Sequence, residues 1–364
     1  MNIVTTNLNA QGLSDVLTRI FTAAGGSELE AREIGENLVR ANLAGHDSHG
    51  VVRTQRYCDW AREGTVHFGR TVETVINAPA FAVLEGNLGF GQTLGIQALE
   101  IGLQKARDQG VAIVALRNSG HLGRIGEWAE RAVAEGFVSI HFVNCYRSRL
   151  VAPFGGADRV MGTNPVAIGM PVAGGDFILD FATSTVAEGK VLVAKKGGKP
   201  VPGDALVGPD GALTNDPDVL YGPIQRGELP NPSKGPGAIT AMGQHKGSGL
   251  ALACEMLAGA LTGSGTCGPG YEFHNGMLSI YIDPARMDDG HDWALTAKDY
   301  VAFVRSIRPR NEVEPVLIPG DPERRRRAER TPALPLPNEA WASILDAGER
   351  LGLRRAELAA MAEK

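Results

Sequence analysis

The residues best suited to chemistry lie together in Asn42-Leu-Ala-Gly-His-Asp-Ser-His-Gly-Val-Val-Arg53, which gathers two histidines, an acid, a hydroxyl and an arginine around a glycine. Ser48 reads as the cap of a helix running through Val51, Tyr57 and Trp60, which puts His49 and Arg53 four apart on one helical face. An imidazole that carries a proton beside a guanidinium that holds a carboxylate suits an enzyme of small organic acids. The blander account makes Asp47 and Ser48 simple caps and the histidines fillers of a polar helix junction. Segments further along the chain weigh against it.

Gly120-His-Leu-Gly-Arg-Ile-Gly126 follows a strand-like run and precedes a helical one. Its GxxGxxG spacing departs from the GxGxxG of a Rossmann turn, and the next strand ends in Asn144 where a ribose-holding acid is needed. Outward backbone N–H groups at that helix start still suit a phosphate. Gly162-Thr-Asn-Pro165 is a tight turn whose Thr163 and Asn164 either cap it or reach a ligand. Asp180-Phe-Ala-Thr-Ser184 closes an apolar strand with small and hydroxylated residues and is followed by Glu188-Gly-Lys190. In His245-Lys-Gly-Ser-Gly249 a lysine opens a helix, against the macrodipole, which hints at an anion held there. Pro319-Gly-Asp-Pro322 is a turn after the strand-like Val316–Ile318. Metal chemistry is the poorer account of His46 and His49, because no HExxH or carboxylate-rich partner motif accompanies them.

The elements that must position these residues fall into two textures. Residues up to about 65 read as helices, with Leu13, Leu17, Ile20 and Phe21 in the first and a capping box, Ser27-Glu-Leu-Glu30, opening the second. β-rich runs follow at 82–84, 111–116, 138–143, 177–180 and 277–282, separated in part by helical patterns at 92–109, 124–136 and 246–261. Gly197 to Pro236 reads as a loop-rich excursion. Helices return at 296–307 and 338–361, opened by Thr296 and Asn338. The expected fold is α/β (α+β): a helical domain built from both termini, 1–72 plus 295–364, with an α/β sheet domain, 73–294, inserted between.

With 364 residues, 43% hydrophobic and 21% charged, the chain has the composition of a globular protein of up to two domains. A net charge of −5 offers no electrostatic case for nucleic acid, and Arg324–Arg327 with Arg330 reads as a solvated helix face. Cys58, Cys145, Cys254 and Cys267 have no metal spacing and read as free thiols. Without a recognisable signal peptide or an apolar run long enough to span a bilayer, a cytoplasmic protein with no membrane partner is expected.

Taken in order, Leu43–Gly50, His121–Gly126, Ala152-Pro-Phe-Gly-Gly156, Gly162–Pro165, Asp180–Ser184, His245–Gly247 and Pro319-Gly320 resemble the pattern of the second, non-Rossmann family of malate/L-lactate dehydrogenases. The resemblance runs through nearly the whole chain. It implies a homodimer, a nicotinamide cofactor (NAD, with NADP possible) bound by a sheet domain unlike Rossmann's, and a small 2-hydroxy or 2-oxo acid as substrate. By the same resemblance His49 is the proton donor and acceptor with Ser48 as its partner, Arg53 and Thr163 bind substrate, and His121 and Lys190 assist catalysis. Cofactor contacts implied in this way are His49, Gly123, Arg124, Ile125, Asp180, Phe181, Ala182, Thr183, Ser184, Lys246, Gly247, Asn275, Gly320 and Asp321. Asn144-Cys-Tyr-Arg-Ser-Arg-Leu150 departs from close relatives, which carry small, Pro- or Gly-bearing residues there, so substrate size and nucleotide choice stay open. Alternatives to a hydroxy acid dehydrogenase are a cyclic imine reductase using the same His and Arg, a non-catalytic ligand-binding protein, and a metal-dependent hydrolase.

Overall fold

The computed structural model describes residues 4–146, 148–195, 197–223, 231–268, 273–310 and 314–363. In chain order β1 (Thr5–Leu8), α1 (Ala10–Ala23), α2 (Glu28–Leu43) and α3 (Thr54–Glu63) precede the strands β2 (Glu73–Asn77) and β3 (Phe81–Glu85). Then come α4 (Gly91–Gln109), β4 (Val111–Ser119), α5 (Gly126–Ala134), β5 (Val138–Tyr146), β6 (Val166–Met170), β7 (Phe177–Phe181) and α6 (Glu188–Lys195). The excursion holds β8 (Leu206–Val207), β9 (Leu213–Thr214), α7 (Asp218–Tyr221) and, just beyond it, β10 (Ala238–Ile239). The remainder is α8 (His245–Cys254), β11 (His274–Ile282), α9 (Trp293–Ser306), α10 (Asp321–Arg330), β12 (Leu334–Pro337), α11 (Asn338–Arg350) and α12 (Arg355–Ala362).

The main sheet has the order β2-β3-β4-β11-β5-β6-β7, and only the β3–β4 pair is parallel. A parallel pair needs a crossover, which α4 supplies. This mixed sheet is not the doubly wound parallel sheet of a Rossmann domain. Helices α4 and α5 cover one of its faces, packing Leu94, Ala98, Leu103 and Trp128 onto Leu84, Val114, Leu116 and Tyr281. Gly102 is required there, since a Cβ would run into the Tyr281 ring.

A second core joins the two ends of the chain. Leu13, Leu17, Ile20, Phe21, Ile34 and Leu38 pack with Leu334, Leu336, Ile344 and Leu358, and β1 pairs antiparallel with β12. Ser27 caps α2 by accepting from the Glu30 N–H at 3.2 Å.

Several expectations are corrected. The helix 338–361 breaks into α11 and α12 around Gly352, whose φ of +83° ends the first. Asn338 does not cap it but accepts from the Thr6 hydroxyl, and Asp292, not Thr296, caps α9. The 246–261 helix changes to π-helical winding at Glu255–Ala260. Val316–Ile318 is not a strand. The excursion is loop-rich as expected, and within it β8 and β9 join β10 in a small antiparallel sheet over a core of Leu206, Leu220, Tyr221 and Ile239, while 224–230 lie outside the described residues.

Candidate active site

The candidate catalytic segment is shaped by Asn42 at the end of α2. Its amide donates to Asp47 Oδ1 at 2.7 Å and its carbonyl accepts from the Val51 N–H at 2.7 Å. Gly50 must be glycine, because a Cβ would collide with that Asn42 side chain. The result corrects the helical reading of this stretch. Asp47–His49 and Val51–Arg53 are two separate 3-10 turns broken at Gly50, Ser48 caps nothing, and α3 begins only at Thr54. His49 and Arg53 still converge, because Arg53 folds back and donates Nε–H to the Ser48 carbonyl at 2.7 Å. That leaves the two terminal nitrogens of its fork without a protein acceptor among the described residues. The Ser48 hydroxyl is hydrogen bonded to His49 Nδ1 at 3.1 Å.

His121, from the loop after β4, stacks parallel on His49 with 5.7 Å between ring centroids and 9° between planes. Its backbone is anchored on both sides. The Gln92 amide donates to the His121 carbonyl, and the Leu122 N–H donates to Asn275 Oδ1 at 3.0 Å. Tyr57 on α3 bonds His121 Nδ1 at 2.6 Å and stacks on Trp60, which in turn stacks on Phe273. Burial, aided by the Arg53 charge, pushes His49 down to about 3, and the same two causes hold His121 well below the usual imidazole range. Both rings are neutral at pH 7.

Arg124 lies behind this pair, 2% exposed, with Glu130 at 2.5 Å, Glu127 at 3.7 Å and Asp180 at 3.8 Å. Burial works against its charge, but these three carboxylates outweigh it. Among the described residues its Nε and Nη1 have no hydrogen-bond partner. Burial also raises the Asp180 carboxyl, against the pull of Arg124.

The remaining expected site residues fall in two groups. Thr183 and Ser184 are brought beside the 241–246 segment by the Met242 N–H to Thr183 carbonyl bond and a Ser184–Ala241 bridge, placing Asp180–Ser184 near Lys246 and Gly247. Gly189 at the start of α6 lies against Ser48, so Lys190 follows directly on the catalytic turn, although its side chain is exposed. Others are spent on the fold. Asn275 also donates to the Asn144 carbonyl, Thr183 Oγ1 donates to the Thr163 carbonyl, and the Thr163 hydroxyl meets the Cys145 thiol. Asp321 works against burial, but hydrogen bonds from Arg305, the Ile318 N–H and Arg324 hold its carboxyl down at about 2. In the divergent segment Tyr146 stacks on His274 at 4.1 Å and Arg149 is exposed, while Arg147 lies outside the described residues.

The arginines of α10 are a solvated face only in part: Arg325 and Arg326 are exposed, but the other three are engaged. Arg330 pairs with Asp47, Arg327 with Glu130, and Arg324 with Asp321 and the Asp176 carbonyl, while Glu323 meets His46 at 3.2 Å. His46 and His49 therefore face different partners. Tyr57, Gln92 and Phe273 were not expected as site residues. Tyr57 stands four positions after Arg53, which is the one sequence signal that it shares the site.

A neutral histidine with a free nitrogen, a second one stacked on it and an unspent guanidinium fork make a site for moving a proton beside a carboxylate. Known proteins agree. Residues 8–345 match the malate/L-lactate dehydrogenase family. The chain belongs to that family. It is 36% identical over 365 residues to hydroxycarboxylate dehydrogenase B of Escherichia coli strain K12, covering 98% of this chain and 97% of the relative. The solved sulfolactate dehydrogenase of Methanocaldococcus jannaschii superposes with a TM-score of 0.85 at 29% identity, over 97% of this chain and 99% of that one. The Δ1-piperideine-2-carboxylate reductase of Pseudomonas syringae pathovar tomato has a TM-score of 0.80 at 29% identity, over 94% and 100% of the two chains.

Proposed function

We propose that this oxidoreductase interconverts a small 2-hydroxy acid and its 2-oxo acid, with NAD or NADP as the hydride partner. The observation that carries the reading is the convergence of neutral His49 with the unspent fork of Arg53. Arg53 clamps the substrate carboxylate through its two terminal nitrogens. His49, oriented by Ser48, takes the hydroxyl proton in oxidation and returns it in reduction. The clamped carboxylate offsets the Arg53 charge that depresses His49, so substrate binding itself makes the imidazole easier to protonate. His121 steadies the developing oxyanion, and its place against His49 favours it over exposed Lys190 for that role.

Dehydrogenases of this family use a nicotinamide cofactor, which when bound accepts or supplies the hydride. The chain's own groups suit it: Arg124 carries two buried nitrogens without a hydrogen-bond partner among the described residues, and the glycine-rich 120–126 loop offers backbone donors. Gly123, Arg124, Ile125, Asp180–Ser184, Lys246, Gly247, Gly320 and Asp321 are the residues assigned to hold it, those with committed side chains through their backbone. The two-body division, 1–72 with 295–364 against 73–294, belongs to the same proposal, supported by the separate cores. So do a cytoplasmic location and a homodimer. Phe81 at 45% and Ile113 at 42% exposure leave apolar sheet surface for a second copy. Among the described residues no helix is long and apolar enough to cross a membrane.

The likeness to the piperideine-2-carboxylate reductase supports a second reading, in which His49 protonates a ring nitrogen. NADH and NADPH oxidation at 340 nm against 2-oxo acids and cyclic imino acids separates the two. Turnover of oxo acids is expected, and turnover confined to cyclic imines overturns the first reading.

A further inference from the structure

We propose that Gln92 and Tyr57 are positioning residues that lock His121 in the tautomer carrying its proton on Nε2, so that the ring is a dedicated hydrogen-bond donor to the reacting oxygen. The inference deepens the reading above and rests on it for the identity of that oxygen.

The assignment follows from counting donors. The Gln92 amide has one atom within reach of two oxygens, the His121 carbonyl at 3.2 Å and the Tyr57 phenol at 3.0 Å. A carbonyl accepts only, so the atom facing it is the NH2, and the amide orientation is fixed. Gln92 therefore donates to the phenol oxygen as well. Tyr57 is 1% exposed and burial pushes its phenol up to about 12, so it keeps its proton. Among the described residues its one other hydrogen-bond partner is His121 Nδ1 at 2.6 Å. If Nδ1 carried a proton, the phenol hydrogen would be buried without an acceptor, a loss that this arrangement avoids. Nδ1 is thus the acceptor. A neutral imidazole has one N–H, which must sit on Nε2. Nε2 has no protein partner among the described residues, and it belongs to the ring stacked on His49.

The two histidines are then unequal. His49, whose Nδ1 meets a hydroxyl that can turn either way, is free to exchange protons. His121, whose Nδ1 meets a phenol already committed by Gln92, is fixed as a donor. An acceptor lone pair at Nε2 would instead repel the oxyanion.

Tyr57→Phe tests this, because it keeps the ring packed against Phe21, Phe90 and Trp60 and removes only the hydroxyl. Long-range 15N–1H correlation spectra of the histidine-labelled protein read the tautomer without any substrate. The wild type is expected to show His121 with its proton on Nε2, and Tyr57→Phe a mixture of tautomers. With the preferred oxo acid, kcat is expected to fall about 10- to 100-fold while KM, set by Arg53, changes less than about threefold. A wild-type His121 protonated on Nδ1, or a Tyr57→Phe enzyme with unchanged tautomer and kcat, overturns the proposal. A larger KM with unchanged kcat does so too. An Nε2–H ring in a protein that turns over neither oxo acids nor imines supports the lock and overturns the functional reading instead.

Discussion

Two histidine environments in this molecule have lost basicity to burial and yet do different things. His141 lies inside the main sheet with Nδ1 on Ser279 Oγ at 2.9 Å and Nε2 on Ser139 Oγ at 3.0 Å, and burial pushes it down to about 3. His49, between the catalytic turn and the sheet, is also pushed down to about 3, with Arg53 adding to burial. The number of satisfied nitrogens separates their roles. His141 has both occupied and is finished as a structural group. His49 and His121 each have one nitrogen engaged and one unspent. A depressed pKa therefore marks burial, and the unspent nitrogen marks chemistry.

The comparison can be broken at either end. The largest effect is expected from His49→Ala, which should lower kcat by about two to four orders of magnitude with the fold intact. Steady-state assays together with an unchanged urea midpoint check it, and near-native turnover removes His49 from the mechanism. Next comes Arg53→Lys, expected to raise KM for the carboxylate substrate about 10- to 100-fold, because an ammonium presents a point charge in place of a fork. An unchanged KM rejects the clamp. The smallest effect on turnover belongs to His141→Leu. It strands the Ser139 and Ser279 hydroxyls and should destabilise the protein by about 1–3 kcal/mol with kcat unaltered.

The same variant sharpens the contrast through pH. The native pKa of His141 is about 3 against an ordinary 6.5, so the unfolded chain takes up this proton first as pH falls. Its neutral form contributes fully above about pH 6.5 and loses stability progressively down to about pH 3. His141→Leu should start less stable at pH 7 but decline more gently between pH 6.5 and 4. Parallel urea-stability curves for the two proteins over that range reject the assignment.

How much of this was readable beforehand depends on whether a residue acts through its type or through its neighbours. Ser48, His49 and Arg53 were legible because their chemistry and closeness are written in six consecutive positions. The helix drawn through them was wrong because Asn42, six positions before Ser48, competes for the local backbone hydrogen bonds and Gly50 breaks the turn. The strands β4, β5 and β11 showed as apolar runs, whereas the two-residue strands of the excursion are too short to leave a period. The α10 arginines looked solvated because every acid they meet except Asp321 and Glu329 lies far away in sequence. Tyr57 was visible as an apolar helix position, but its hydroxyl gains meaning only from Gln92 and His121, supplied by α4 and the loop after β4.

The grip of α10 on the catalytic turn also has a consequence for biosynthesis. Arg330 holds Asp47 across 283 positions of chain, and β1 pairs with β12. Translation from the N-terminus therefore makes His49, Arg53 and His121 long before Arg330 and β12, which fasten Asp47 and β1. The nascent chain thus carries the candidate catalytic groups before the Arg330–Asp47 pair and the β1–β12 sheet can form.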